Sequence, residues 1–332
     1  MDRSFSRSIR LFITGLSMGI ADLIPGVSGG TIAFLSGIYE ELLESIRIVS
    51  GKTLRLFLQG NIVLAVQSVP FAFLIPLLLG LGISIFSLAN VLSWLLENRP
   101  IFVWSFFFGL VLASTFIVLK RVVQWDVSDK VVFVVSTLAA YFLVGAVPIE
   151  TPTNLPFIFL SGAIAICAMI LPGISGSFIL LLLGKYQYIL EAVTERNFLI
   201  LGVFIVGCIV GLSLFARFLS WLFAHHHDIS VAILAGIMLG SIRKIWPWKQ
   251  VLETRINSHG EIVPLVEKNI IPEALDITIG IALVLAILAA AIVYYLERLH
   301  VVKELTQDIS STGFAAQHEK SLASQRHNSH TE

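Results

Sequence analysis

Charged residues and cysteines are both scarce in this sequence. Only 13% of its 332 residues are charged, about half the roughly 25% of an ordinary soluble domain. The 22 Lys and Arg residues balance the 22 Asp and Glu residues, so no net field favours nucleic acid as a partner. Cys167 and Cys208 lie in apolar segments without a partnering motif, which excludes a disulfide scaffold and a cysteine metal site. We therefore expect neither a water-soluble enzyme, nor a metal protein, nor a nucleic-acid-binding protein.

Long apolar stretches take the place of the missing charge. Hydrophobic residues make up 56% of the chain and the mean hydropathy is +0.89. Several stretches approach the ~20 residues that a bilayer span requires. The start of the chain, with Arg3, Arg7 and Arg10 before an apolar run, has the pattern of a signal peptide. The segment that follows occurs again downstream, which argues against cleavage, so we predict a polytopic integral membrane protein.

The sequence contains an internal duplication. Residues 24–45 align without a gap on residues 171–192, with 10 identities in 22 positions at an offset of 147. Residues 80–96 align on residues 207–223 at an offset of 127, and both contain Leu-Ser-Trp-Leu. Gly109 matches Gly236 at the same offset. Internal repeats of this kind in membrane proteins are typical of transporters.

The duplication predicts an all-α fold of two inverted repeats. Each repeat has one segment broken by Pro-Gly-X-Ser-Gly and three spans, and a broken segment that enters the membrane and returns makes the number of crossings odd. The first repeat covers residues 1–147, with a re-entrant hairpin at 9–46, an interfacial amphipathic helix at 51–60 and spans near 62–96, 100–119 and 130–147. The second covers residues 148–303, with a re-entrant hairpin at 157–193 and spans near 197–224, 229–246 and 273–299. We expect a disordered polar tail at 304–332.

The arms of each hairpin are predicted at 9–24 and 28–46, and at 157–171 and 175–193. The distribution of Lys and Arg, 13 on one side and seven on the other, favours a cytoplasmic amino terminus. The same count does not separate re-entrant hairpins from broken segments that cross the membrane once. That alternative stays open on sequence grounds.

The two breaks are candidate anion sites. Unpaired backbone at membrane depth must be buried in protein or line a watery cavity, and the first N–H groups of the helix after each break suit an anion such as phosphate. Glycines let an anion approach the backbone and hydroxyls donate to it. The alternative is that the breaks only pack closely, with Ser28 and Ser175 as N-caps. The duplication favours a site, because transporter binding sites commonly form where repeat-related broken helices meet. The predicted phosphate-binding residues are Pro25, Gly26, Ser28, Gly29, Gly30 and Thr31 in the first break, and Pro172, Gly173, Ser175, Gly176 and Ser177 in the second.

The paired motifs IPGVSGG and LPGISGS, followed by Gly-Ile-Tyr and Gly-Lys-Tyr, resemble those of the bacterial polyprenyl-phosphate transporter family (PopT-type). The resemblance covers about residues 8–299. It implies a multi-pass protein of the bacterial cytoplasmic membrane that returns undecaprenyl phosphate, the lipid carrier of cell-wall precursors, from the outer to the inner leaflet for reuse. The expected partners are this polyprenyl phosphate and the membrane lipids. The residues alone predict a transporter of something anionic and leave the oligomeric state open.

Three charged residues within the membrane segments are further candidates. Asp22 precedes the first break and is the candidate coupling group for protons or another cation, because an acid in the membrane is costly; its alternative is a carboxylate that caps a neighbouring helix. Lys185, on the arm after the second break, and Arg217, inside a span, are candidate phosphate ligands. Each can instead snorkel to an interface. No other cofactor is predicted.

Other functions remain as alternatives. Gly-x-Ser-Gly occurs in both breaks and also in intramembrane serine proteases, but a serine nucleophile needs a general base, and no histidine lies inside a predicted span. A transporter or channel for another anion and a structural scaffold are also compatible with the sequence. We predict a transporter that is not an enzyme.

Overall fold

The structure is a computed structural model that describes residues 3–24, 27–256, 262–272, 276–295 and 297–298. Pro25 and Gly26 of the first break lie outside the described residues, as does the predicted disordered tail at 304–332.

Fourteen helices and one strand pair make up the described part of the chain. In the first half they are α1 (Arg3–Asp22), α2 (Gly29–Leu35), α3 (Tyr39–Ile48), α4 (Leu54–Leu58), α5 (Ile62–Ser68), α6 (Phe71–Asn98), α7 (Pro100–Leu119) and α8 (Val127–Val144). A π-helical turn, Val49–Thr53, joins α3 to α4. In the second half they are α9 (Leu155–Ile170), α10 (Gly176–Leu182), α11 (Tyr186–Thr194), α12 (Phe198–His225), α13 (His227–Ser241), β1 (Lys249–Ile256), β2 (Ile262–Asn269) and α14 (Ile277–Tyr295).

The prediction of an all-α polytopic membrane protein is confirmed. Among the described residues, α6, α7, α8, α12 and α14 are long and apolar enough to cross a membrane, and α13 is a shorter apolar helix of 15 residues. Their outer faces carry large apolar side chains in contact with the surroundings, as lipid-facing helices do; Phe86 is 89% exposed. The predicted span at 62–96 divides at Pro70: α5 ends at Ser68, Val69 is extended, and α6 begins directly after Pro70, with Pro76 inside it.

The second arm of each hairpin differs from the prediction. Arms of 19 residues were expected, but α2 and α10 have seven residues each and end at Leu35 and Leu182. Gly37 and Gly184 follow two residues later, with φ angles of 70° and 65°. Glycine adopts this left-handed conformation at low cost and ends a helix there. The chain then restarts at Tyr39 and Tyr186, and the axes of α10 and α11 differ by 105°. Both motifs therefore follow the end of a helix, and at the Gly-Lys-Tyr motif the chain bends sharply before the next helix.

Contacts between the ends of each broken segment show that it turns back on itself. Arg7, near the start of α1, forms an ion pair with Glu41 in α3, and Arg10 donates to the Ser36 carbonyl. In the second half, the Ile149 N–H donates to the Leu182 carbonyl at 2.8 Å, so α10 returns to the residues that precede α9. We name the two turns the first tip, the described part of residues 22–31, and the second tip, residues 170–177.

Glycines at matching positions bring helices into backbone contact in both halves. A Cβ added to Gly80 would lie 2.1 Å from the Phe12 carbonyl oxygen, and one added to Gly207 would lie 2.1 Å from the Phe159 carbonyl oxygen. Gly80 and Gly207 are 127 residues apart, and Phe12 and Phe159 are 147 apart, which are the two offsets of the duplication. The close pairs α1–α6 and α9–α12 are therefore equivalent.

The second glycine pair joins the halves to each other. A Cβ on Gly109 of α7 would lie 2.1 Å from the Ala286 carbonyl oxygen of α14, and one on Gly236 of α13 would lie 2.6 Å from the Phe133 carbonyl oxygen of α8. Close glycine contacts of this type are common between membrane helices. Each of the two pairs, α7–α14 and α8–α13, thus contains one helix from each half.

The molecule has two ends, which we call the amino-terminal face and the strand face. The amino-terminal face contains Arg7 and Glu41. Helix α13 also begins at this face, as shown by the 4.0 Å distance between His227 Nε2 and Glu40 Oε1. Helix α13 runs alongside α8 to the other end, where Arg243 Nη1 donates to the Tyr141 carbonyl at 3.0 Å. The strand pair lies at that end and defines the strand face.

The strand pair is absent from the sequence prediction. A span was expected near 229–246, but α13 ends at Ser241, and β1 and β2 pair antiparallel from Lys249↔Asn269 to Ile256↔Ile262. The charged residues Arg243 and Lys244 and the following Pro247 end the apolar helix. The predicted helix at 51–60 also differs: the chain is helical from α3 through the π-helical turn to Leu58.

Candidate functional site

The first tip is held by Ser28, which caps α2. Its backbone is extended, with φ −127° and ψ 137°, and its Oγ accepts a hydrogen bond from the Gly30 N–H at 3.1 Å. The same hydroxyl donates to the Met169 carbonyl at 3.0 Å. Ser28 therefore satisfies one of the open N–H groups of α2 and also links the first tip to the end of α9.

Asp22, at the end of α1, also binds the start of α2 in the first tip. Its Oδ1 accepts a hydrogen bond from the Gly29 N–H at 2.6 Å, so the last residue of α1 binds the first residue of α2. A carboxylate at a helix N-terminus is favoured by the helix dipole as well as by the hydrogen bond. The capping alternative raised for Asp22 thus describes its contact, and this contact places an ionisable group directly against the break.

The second tip is built on the same motif but is capped differently. The Gly173 N–H donates to Thr31 Oγ1 of the first tip at 3.1 Å. Ser175 precedes α10 in the position of Ser28, yet its side chain makes no cap hydrogen bond and its Oγ lies 2.7 Å from Ser177 Oγ instead. Ser177 is exposed, whereas Pro172 and Gly173 are buried. The two tips are therefore similar in sequence and unequal in hydrogen bonding.

The two tips interlock. A Cβ added to Gly30 would lie 2.5 Å from the Ile170 carbonyl oxygen, and Tyr39 OH donates to that same carbonyl at 3.3 Å. Ser28 is 1% exposed and Thr31 is fully buried. The predicted anion donors of the first tip are thus brought together with the second tip, but the protein itself occupies them in this conformation.

Lys185 does not join the tips. It follows α10 at the end away from the second tip, is 2% exposed, and its Nζ donates to the Thr151 carbonyl. Thr151 Oγ1 in turn donates to the Leu183 carbonyl at 2.7 Å. This position is neither beside the predicted phosphate site nor at a lipid interface. Lys185 instead links the end of the second hairpin to the segment that precedes α9.

Arg217 also lies away from the tips, near the amino-terminal face. Its guanidinium would be 3.1 Å from a Cβ added to Gly51 in the π-helical turn. It lines a cavity of about 760 Å³ together with the basic side chains of Arg47 and Lys52. The structure therefore assigns Arg217 to a basic cavity at one end of the molecule.

A second basic cavity, of about 420 Å³, lies at the strand face, and we call it the strand-face cavity. It is enclosed by the ends of α8 and α13, by α10 and by the strand pair. Its lining includes four cationic side chains and one carboxylate: Arg243, Lys244, Lys249, Lys268 and Glu267. Sequence reasoning assigned none of these residues to a site. The signal was present as an unusually basic segment between two spans on the side with fewer positive charges.

Glu267 holds two of these lysines together. Its Oε2 lies 3.1 Å from Lys249 Nζ and 3.5 Å from Lys244 Nζ. Burial is the main cause that lowers the pKa of Lys249, with Lys244 adding to it and Glu267 opposing it. Burial raises the pKa of Glu267, but the attraction of Lys249 and Lys244 outweighs it, so the pKa of that carboxyl lies below its ordinary value. Glu267 is therefore an internal counterion for the lysine pair.

The fold and its tips define a multi-pass membrane protein built around two interlocked broken helices. Residues 18–263 match the family described as VCA0040-like, undecaprenyl phosphate translocase-like. The chain belongs to that family.

Two relatives are named polyprenyl-phosphate transporter. The protein of Vibrio cholerae is 43% identical over 293 residues, which cover 86% of this chain and 95% of the relative. The protein of Staphylococcus aureus is 31% identical over 255 residues, which cover 71% of this chain and 85% of the relative. No solved structure matches the chain.

Proposed function

We propose that this protein moves polyprenyl phosphate, specifically undecaprenyl phosphate, across the bacterial cytoplasmic membrane from the outer to the inner leaflet. This transport returns the carrier lipid for reuse in cell-envelope synthesis. The family match and the names of both relatives support lipid-phosphate transport. The apolar outer faces of the spanning helices suit a substrate whose tail stays in the bilayer while its headgroup crosses.

The observation that carries the proposal is the pairing of the two tips. Unwound backbone from both halves meets in the protein interior, and the Ser28–Met169 and Thr31–Gly173 hydrogen bonds close the contact. Broken helices that meet between inverted repeats form the substrate site in many transporters. When the tips separate, the Ser28 hydroxyl and the Gly173 N–H lose their protein acceptors and become donors for phosphate oxygens.

The conformation described is then the closed state of an alternating-access cycle. The tips block the path between the amino-terminal face, which we assign to the cytoplasm, and the strand face, which we assign to the outside. Rocking of one repeat against the other opens the tips toward one face at a time. Both broken segments stay re-entrant in this cycle, because their ends remain at the face from which they came.

Asp22 is the coupling residue in this proposal. Its carboxylate makes a charge-assisted hydrogen bond to the Gly29 N–H. Protonation converts this acceptor into a neutral acid and weakens the bond. Binding of a proton therefore loosens the junction between α1 and α2, which is a step that opening of the first tip requires.

The proposal includes no catalysis. The Ser28 hydroxyl donates to a main-chain carbonyl, and the Ser175 hydroxyl pairs with Ser177. A serine nucleophile would instead hydrogen-bond to a general base.

Headgroup flipping in proteoliposomes tests the function. Purified full-length protein is reconstituted with a short-chain fluorescent polyprenyl phosphate, and headgroup accessibility is followed with time. Wild type is expected to flip the lipid, and Gly30→Ala is expected to flip it slowly because its Cβ meets the Ile170 carbonyl. Gly202→Ala is the matched control, because none of the described residues has an atom within 4 Å of a Cβ there.

Radioactive inorganic phosphate in the same vesicles separates lipid transport from transport of a free anion. Uptake of phosphate without flipping would replace this function by an anion transporter. Absence of both activities in folded wild-type protein would overturn it.

A further inference from the structure

The strand-face cavity has an excess of positive charge within a partly apolar wall. Among the described residues of its lining, four cations face a single carboxylate, and the side chains of Lys249 and Lys244 are only 9% and 22% exposed. Partly buried cations without full compensation are costly unless an anion joins them. An anion that carries more than one negative charge would compensate this cavity best.

The cations are also held in fixed positions. Lys249 Nζ lies 4.7 Å from the centre of the Trp104 ring, and the Arg243 guanidinium lies 4.5 Å from the centre of the Tyr141 ring. Aromatic rings orient cations without neutralising them. The Asn269 amide donates to the Arg243 carbonyl at 2.8 Å, which fixes the strand pair against the end of α13.

Several other residues in the lining of the cavity are apolar. They include Val144, Phe178, Leu181, Leu182 and Leu252. A small polar anion would leave this surface without a partner, whereas a phosphate joined to a hydrocarbon chain would contact both kinds of wall. The apolar part of the lining gives a hydrocarbon chain a surface to contact beside the cations that would bind its phosphate.

The cavity adjoins the second tip. Phe178 lies two residues after Gly176 in α10, and Lys244 Nζ is 5.2 Å from the centre of its ring. Gly173 of the tip packs against α13, since a Cβ there would lie 2.6 Å from Ser241 Oγ. A phosphate in the cavity would thus lie against α10, the helix that begins directly after the second break.

We propose that the strand-face cavity is a docking site for a lipid phosphate monoester, in which the phosphate takes the place of Glu267 on Lys244 and Lys249. This inference rests on the proposed function and names the place where the lipid waits before the tips open. Glu267 acts as a resident counterion that keeps the lysine pair compensated while no lipid is bound.

Direct binding of farnesyl phosphate to the purified full-length protein in nanodiscs tests the inference. Loss of one charge-assisted hydrogen bond costs about 1.5–3 kcal/mol, or roughly 10- to 150-fold in Kd. Lys244→Gln and Lys249→Gln are therefore expected to raise the Kd at least about tenfold. Glu267→Gln is expected to lower the Kd, because it removes the competing anion. A purely structural role for Glu267 predicts the opposite sign.

One control tests whether loss of any cation weakens binding, and two others test whether the ligand needs its phosphate and its hydrocarbon chain. Arg196→Gln removes a cation at the junction of α11 and α12, outside this cavity, and is expected to leave the Kd unchanged. Farnesol tests the need for phosphate, and competition by inorganic phosphate tests the need for the chain. Inorganic phosphate that competes as well as farnesyl phosphate would overturn a lipid site in favour of a free-phosphate site.

The binding and flipping experiments can refute the docking site and the transport function separately. If both lysine variants bind farnesyl phosphate like wild type, the docking site is refuted even though wild type flips lipid. If wild type binds through these lysines but does not flip lipid, the docking site stands and the transport function fails.

Discussion

The hydroxyl of Ser28 donates a hydrogen bond to the carbonyl of Met169, 3.0 Å away and 141 residues later in the chain. It is one of the contacts by which the two broken helices close on each other. The serine at the equivalent place in the second motif, Ser175, makes no such contact. The two copies of the duplicated motif have thus produced two tips with different hydrogen bonds.

Replacement of these two serines measures that difference. Ser28→Ala removes both the cap of α2 and the link to α9, and we expect a loss of about 1–2 kcal/mol of stability. Ser175→Ala removes only the contact with Ser177, and we expect a loss of a few tenths of a kcal/mol. Thermal unfolding of the two variants in the same detergent checks the ranking. Equal losses of stability would show that the Ser28 hydrogen bonds contribute no more to stability than the Ser175–Ser177 contact does.

Much of this architecture follows from the sequence because it depends on local or periodic signals. The two proline-glycine breaks, the start of α6 after Pro70 and the matching of Gly80 to Gly207 are visible in the chain itself. The bends at Gly37 and Gly184 were visible as motifs, but their meaning depended on a positive φ that sequence alone does not reveal.

Other features depend on contacts between distant residues and could not be predicted. The motif shows that Ser28 can cap a helix, but not that it reaches Met169 in the other half. Lys185 has the charge for a phosphate ligand, and only the return of α10 to Thr151 gives it a different partner. The strand-face cavity requires the β1–β2 pair, which places Glu267 beside two lysines.

The equivalence of the two close helix pairs can be tested with glycine variants. Gly80→Ala and Gly207→Ala each place a Cβ 2.1 Å from a carbonyl oxygen, so we expect each to lower stability by about 1–3 kcal/mol. The Cβ atoms of Gly82→Ala on α6 and Gly202→Ala on α12 meet no atom of the described part of the chain within 4 Å. Both variants are expected to be neutral or to stabilise by up to about 1 kcal/mol. A pair that tolerates alanine in one half only would contradict the equivalence.

Coupling through Asp22 predicts a change in the response to a pH gradient. Asp22→Asn keeps an acceptor for the Gly29 N–H but cannot titrate, so we expect lipid flipping to become independent of the gradient. Asp276→Asn is the matched control, because Asp276 also accepts a main-chain N–H at the start of a helix, from Ile279 at 3.0 Å. Flipping rates with and without a gradient give the answer. Gradient-dependent flipping in Asp22→Asn would remove Asp22 from the coupling mechanism.

Lys185 and Lys244 provide the sharpest contrast between a structural and a binding cation. Lys185→Met leaves the partly buried Thr151 carbonyl without the Lys185 donor, and we expect a loss of about 1–3 kcal/mol of stability with an unchanged Kd for farnesyl phosphate. Lys244→Gln is expected to show the reverse, because its amino group lines the strand-face cavity and is partly exposed. Thermal unfolding and lipid binding measured on the same preparations decide between them. A Lys185→Met protein that stays stable and binds farnesyl phosphate tenfold more weakly would restore Lys185 as a phosphate ligand, since a side chain that only ties α10 to Thr151 has no means of changing headgroup affinity.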